Sequence, residues 1–233
     1  MKKPAPAIEK IVNQFEDAKN KINAIEFDVH WYRRVFHTFG ACFLFYYFLP
    51  DDAEWIRLLK FWVPFLILVS LVILEALRIK GKVNSKHFFG LRMYEKNRVG
   101  SYLFFGVAIF TLLLVFPQQI AIPCILCASI GDPVIGEIRS RFGGKIVYFV
   151  GFFVCMLFFA VTWYKADFWV MFFVSVVGAF GAVVGETKKF WWIDDDFMIQ
   201  MVPAVLLLIV WFSASYVGFS LPDKVIYPVI IPW

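Results

Sequence analysis

Charge is what this sequence has least of. Asp, Glu, Lys and Arg supply 18% of its 233 residues and apolar residues 61%, against about 25% and 45–50% in soluble domains. That balance excludes a soluble globular body and points to an integral membrane protein. Histidine is scarce as well: three scattered residues are too few for a zinc site. The four cysteines, Cys42, Cys124, Cys127 and Cys155, all fall in apolar segments. The Cys124–Cys127 CxxC has no histidine or further cysteine beside it, so it reads as small apolar packing. No GxxxxGK[ST] motif occurs, which excludes a P-loop kinase. Met1 to Arg34 is polar and has no apolar h-region, so the first apolar segment is expected to be an uncleaved anchor. No internal repeat is visible.

What is present is a series of apolar runs. A span needs about 20 apolar residues, and about seven segments meet or approach that: 35–50, 60–79, 101–117, 119–138, 146–163, 168–186 and 197–217. The expected fold is an all-α, polytopic membrane helical bundle. Residues 1–34 form a separate amphipathic N-terminal segment, with Ile8, Ile11, Val12 and Phe15 at helical spacing, and 35–233 form the membrane-embedded domain. Segment 84–98 interleaves Arg92, Glu95 and Arg98 with Phe88, Leu91 and Met93, a pattern for an interfacial helix or an ordered loop.

Cations set the orientation. Residues 1–34 and 78–98 each hold seven Lys or Arg, 139–145 hold three, and 186–196 hold Lys188 and Lys189. With seven spans these nineteen share one face, and only Arg57, Lys60, Lys165 and Lys224 lie on the other. The positive-inside rule then places the N-terminus in the cytoplasm. Orientation explains the pI near 9.0, so no nucleic-acid partner is expected.

The same face collects the conspicuous polar residues: Arg33, Arg34, His37, Glu75, Arg78, Glu95, Asp132, Glu137, Arg139, Arg141, Lys145, Glu186, Lys188 and Asp194-Asp195-Asp196. Several have ordinary structural readings. Glu75 and Arg78 are spaced for an i,i+3 ion pair, and Glu137 and Arg141 for an i,i+4 pair. The Asp triplet suits the positive end of a helix. Arg33, Arg34 and Lys188 also serve as topology determinants. Asp132 and Glu186 are harder to assign to structure, because a carboxylate within a span costs about 2.5 kcal/mol or more and marks function by default. Asp132 sits between Gly131 and Pro133, which suggests a helix opened around a polar cavity.

In order along the chain, Arg33-Arg34-Val35-Phe36-His37-Thr38-Phe39-Gly40, Glu75 with Arg78 and Glu95, Gly131-Asp132 with Arg141-Phe142-Gly143, and Gly185-Glu186 with Asp194-Asp195-Asp196 and Pro203 resemble the dolichol kinase, phytol kinase and CTP-dependent diacylglycerol kinase family. Arg139, Ile135 and Asp196 stand where that family commonly has glycine, alanine and asparagine. The resemblance implies a lipid kinase that moves the γ-phosphoryl of CTP to a long-chain isoprenoid alcohol with Mg²⁺. It implies Asp132, Glu186 and Asp195 as catalytic carboxylates and Asp132, Glu186, Asp194 and Asp195 as metal ligands. Phosphates would be held by Arg141, Lys145, Gly131 and Gly143, with Arg33, Arg34, Arg78 and Lys188 in support, and His37, Glu75 and Glu95 are further site candidates. The expected partners are the nucleotide and a lipid alcohol; the oligomeric state is left open, a homodimer included. The location would be a prokaryotic cell membrane or a eukaryotic endoplasmic reticulum, with the site facing the cytoplasm. A diacylglycerol kinase, a CDP-lipid synthase and a transporter using Asp132 are the alternatives.

Overall fold

A computed structural model describes residues 31–51, 53–83, 91, 95, 98–187, 193–217 and 221–228. Among them, every regular element is a helix. Residues 31–39 (α1) run directly into a 3₁₀ helix, Gly40–Phe48. Then follow α2 (Glu54–Ile79), α3 (Ser101–Val115), α4 (Gln118–Leu126), a π turn (Cys127–Gly131), α5 (Asp132–Arg141), α6 (Ile146–Thr162), α7 (Phe168–Thr187) and α8 (Asp195–Val217). Among the described residues, four helices are long and apolar enough to cross a membrane: α2, the continuous Gln118–Arg141, α7 and α8. Helices α3 and α6 are shorter and apolar. The amphipathic segment expected at 1–30, most of 84–98, and Lys188 and Lys189 lie outside the described residues.

Helix α2 begins at Glu54, ahead of its expected start at residue 60, and is the most peripheral of the four. It presents Trp55, Leu58, Trp62, Leu66 and Ile73 outward. Its end is set by glycine. Gly81 adopts φ 71°, and the amides of Gly81 and Lys82 return to the Arg78 and Leu77 carbonyls, closing the last turn in a Schellman arrangement.

Gln118–Arg141 is the most buried of the four. Gly131 and Pro133 were expected to open it; the helix instead continues through a π turn. Proline has no N–H, and its ring crowds the carbonyl four residues back. A turn widened by one residue accommodates this, and the Asp132 amide bonds to the Cys127 carbonyl at i−5. Pro123 poses the same problem ten residues earlier, where it leaves the Gln119 carbonyl without its helical donor. The indole Nε1–H of buried Trp163, just past α6, donates to that oxygen at 2.8 Å. Trp163→Phe is therefore expected to cost about 1–3 kcal/mol, the penalty for an orphaned buried acceptor. A thermal-melt cycle in detergent checks it: the cost should shrink in a Pro123→Ala background, where the helix regains its own donor.

Helix α8 packs on α7, α3 and α4, and α7 packs on α6. Glycines set the closeness of α7. A Cβ at Gly178 would lie 2.7 Å from the Phe159 ring, one at Gly181 2.9 Å from Pro203 Cα, and one at Gly185 2.6 Å from the Met198 carbonyl carbon. The C-terminal end of α7 and the N-terminal end of α8 are thereby held in backbone contact.

Candidate functional site

At the end of the bundle where α5 and α7 finish and α8 begins, the buried polar residues meet. Helix α1 supplies Arg33 and His37, one turn apart. The first turn of α5 supplies Asp132, and Arg139 stands seven residues on, which returns it to the same face after two turns. The last turn of α7 supplies Glu186. Asp194 precedes α8, and Asp195 and Asp196 open it, where the positive end of the helix favours acids.

His37 joins two of these elements. Its Nδ1 lies 3.2 Å from Asp132 Oδ2 and its Nε2 lies 3.5 Å from Asp196 Oδ2. The first contact lacks the alignment of a hydrogen bond, so buried Nδ1 has no hydrogen-bond partner. The imidazole also packs on the Phe105 ring, with centroids 4.9 Å apart. Asp196, 3% exposed, accepts from Arg33 Nη2 at 3.0 Å. Glu186, equally buried at its side chain, accepts from Arg139 Nη2 at 2.6 Å, while Arg139 itself is 49% exposed. Among the described residues, two sets of side chains bring ligand atoms within 4.8 Å of one another: His37, Asp132 and Asp196, and Asp194, Asp195 and Asp196. Asp196 belongs to both.

Other residues expected at the site sit around or apart from it. Glu137 accepts from both Arg34 and Arg141, an ion cluster at the rim that realises the i,i+4 spacing. Arg141, 69% exposed, is engaged there. Gly143 and Gly144, with φ 59° and 64°, turn the chain from α5 into α6, and Lys145 is exposed beside them. Gly131 lies in the π turn, where a Cβ would meet Cys155 Sγ at 3.4 Å.

Glu75, Arg78 and Glu95 make a different structure. The guanidinium of Arg78, fully buried, donates to Glu75 Oε2 at 2.7 Å and Oε1 at 2.6 Å, to the Glu95 carbonyl at 3.0 Å and to the Arg98 carbonyl. Glu75 also accepts from the Gly100 amide and the Tyr102 hydroxyl. This network ties the end of α2 to the backbone before α3. Removing one partner of a buried pair leaves a bare charge and costs about 3–5 kcal/mol. Arg78→Leu is accordingly expected to reduce the yield of folded protein sharply, as size-exclusion profiles in detergent would show.

Two members of the convergence were given no role at the site from sequence, Asp196 and Arg139. Each stands at a departure from the family pattern, and the seven-residue spacing from Asp132 to Arg139 was a readable signal. No family model matches the chain, nor does any curated protein or solved structure.

Proposed function

We propose that the chain is an integral-membrane lipid kinase that transfers the γ-phosphoryl group of a nucleotide, CTP by the resemblance, to the hydroxyl of a long-chain isoprenoid alcohol. The observation that carries this reading is the gathering of Asp132, Glu186 and Asp194–Asp196 with Arg33 and Arg139 where apolar helices end. A phosphoanhydride, its cation and a lipid hydroxyl require that combination of anions, cations and adjoining apolar surface. We place α1 with its 3₁₀ extension, α3 and α6 beside the four long helices as spans. Nine residues of 3₁₀ rise about 18 Å where an α-helix rises about 14 Å, which extends the reach of the first. The cation distribution then sets the site at the cytoplasmic face.

The donor set fits a hard divalent cation, since Asp196 offers a carboxylate oxygen within 4.8 Å of Asp132 in one group and of Asp194 and Asp195 in the other. Mg²⁺ held by these residues would supply positive charge to offset that developing on phosphate oxygens. Glu186 and Asp195 are the bases nearest to hand. As the alcohol oxygen bonds to the γ-phosphorus and the bridging P–O bond breaks, one of them takes the hydroxyl proton and CDP leaves. Arg33 and Arg139, held on Asp196 and Glu186, supply guanidinium forks suited to phosphate oxygens. A transporter would call for paired broken helices, and the continuity of Gln118–Arg141 weighs against it.

The test is phosphoryl transfer by purified protein with Mg²⁺, supplied in parallel with γ-labelled and α-labelled CTP. The acceptors are a polyprenol, a phytol-like alcohol, diacylglycerol and phosphatidic acid. Label passing to an alcohol from the γ position alone is expected. Label passing to phosphatidic acid from the α position, with pyrophosphate released, would make the protein a CDP-lipid synthase instead.

A further inference from the structure

The three elements that supply His37, Asp132 and Asp196 each continue one turn deeper into the apolar part of the bundle. There they supply Gly40, Ser129 and Gln200. Ser129 and Gln200 are 0% exposed, and the Ser129 hydroxyl oxygen and the Gln200 amide oxygen have no hydrogen-bond partner. The side chain of Gln200 folds back toward the acids, its Nε2 donating to the Asp196 carbonyl at 2.8 Å. That bond puts the amide head directly beneath Asp196. The position of the Ser129 hydroxyl is fixed from the other side: a Cβ on Gly40 would lie 2.8 Å from it. Glycine at position 40, one turn past His37, puts no side chain against that hydroxyl.

Buried polar atoms are nearly always paired, and unpaired acceptors in an apolar interior carry a large desolvation penalty. Here they sit one turn inward of Asp132 and Asp196, the two carboxylates that His37 joins, which sets both on the inner side of the cluster. The group they suit is a neutral one that both donates and accepts. An alcohol hydroxyl does this: it can donate to the Gln200 oxygen and accept from Ser129. A carboxylate or phosphate would meet an amide oxygen and three aspartates, so an anionic headgroup is disfavoured by like charge. We propose that Ser129 and Gln200 form the acceptor subsite, which takes the hydroxyl of a long-chain primary alcohol arriving from the apolar side. This rests on the lipid kinase reading and adds to it where the acceptor binds and why it must be an alcohol.

The experiment uses the full chain in lipid nanodiscs and needs no nucleotide. A long-chain primary alcohol with a diazirine beside its hydroxyl is photolysed on the protein, and labelled peptides are mapped by mass spectrometry. The matching methyl ether, which cannot donate, serves as comparison. Saturable labelling of 118–141 and 195–217 by the alcohol is expected. It should weaken roughly tenfold in Ser129→Ala, the scale of one neutral hydrogen bond, and in the ether. Ser129→Cys keeps a weak donor at nearly the same size, and intermediate labelling is expected from it. Equal labelling of wild type and Ser129→Ala, or of alcohol and ether, would overturn the subsite. Phosphoryl transfer measured alongside separates the two readings. Transfer with labelling elsewhere removes the subsite and keeps the kinase, whereas labelling at the site without transfer to any alcohol keeps the subsite and removes the kinase.

Discussion

Asp132→Asn is expected to abolish phosphoryl transfer, with a loss of at least about 10²–10³, the scale for removing one preorganised electrostatic group. The exchange is nearly isosteric and the side chain is 25% exposed, so neither a cavity nor a newly buried charge follows. What disappears is one negative charge from the cluster shared with His37 and Asp196, and with it, on the proposed function, a ligand for the cation. Glu186→Gln is expected to do the same for a different reason. Its carboxylate is buried beside Arg139, and the amide keeps an acceptor for that arginine but neither a charge nor proton affinity. Both variants should elute and melt as wild type does. Near-normal turnover in either, measured with saturating nucleotide and lipid, would remove that residue from the site.

The carboxylates could be found in the sequence because a membrane makes acids conspicuous. Asp132 and Glu186 stand out within apolar runs, and cation counting places them at one end of the spans. The all-helical character follows from composition and run length in the same way. What was not legible depends on distances between segments. Nothing in the spacing shows that His37 lies between Asp132 and Asp196, or that Arg139 reaches Glu186 across 47 residues. The Gly131-Asp132-Pro133 triplet was read as an opened helix because proline removes a donor, yet a π turn solves the same problem with the helix intact. Glu75 and Arg78 match the family pattern and also the local ion-pair spacing. The structure places them in the latch at the end of α2, a choice between readings that only the partners Gly100, Tyr102 and the Glu95 carbonyl could make.

Gly185→Ala is expected to cost as much activity as the loss of a catalytic group, although glycine has no side chain to contribute to the chemistry. A Cβ there would lie 2.6 Å from the Met198 carbonyl carbon and 2.8 Å from the Ile199 amide nitrogen. Both are backbone atoms of α8 and cannot rotate away. Ordinary contact begins near 3.4 Å, so α7 must withdraw from α8 by roughly 1 Å, a displacement that can lower an enzymatic rate about 10²-fold. The next residue is Glu186, and withdrawal carries it away from Asp195. Alanine gains about 1 kcal/mol of helix propensity, while forced repacking costs about 1–3 kcal/mol. The protein should therefore fold with a modestly lower Tm and turn over about a hundredfold more slowly. Gly106→Ala is the control: a Cβ there meets only the flexible Leu71 Cδ1 of α2, at 3.1 Å, so α7 and α8 keep their contact and activity should hold. Equal activities in the two alanine variants would mean that the backbone contact between α7 and α8 does not set the position of Glu186.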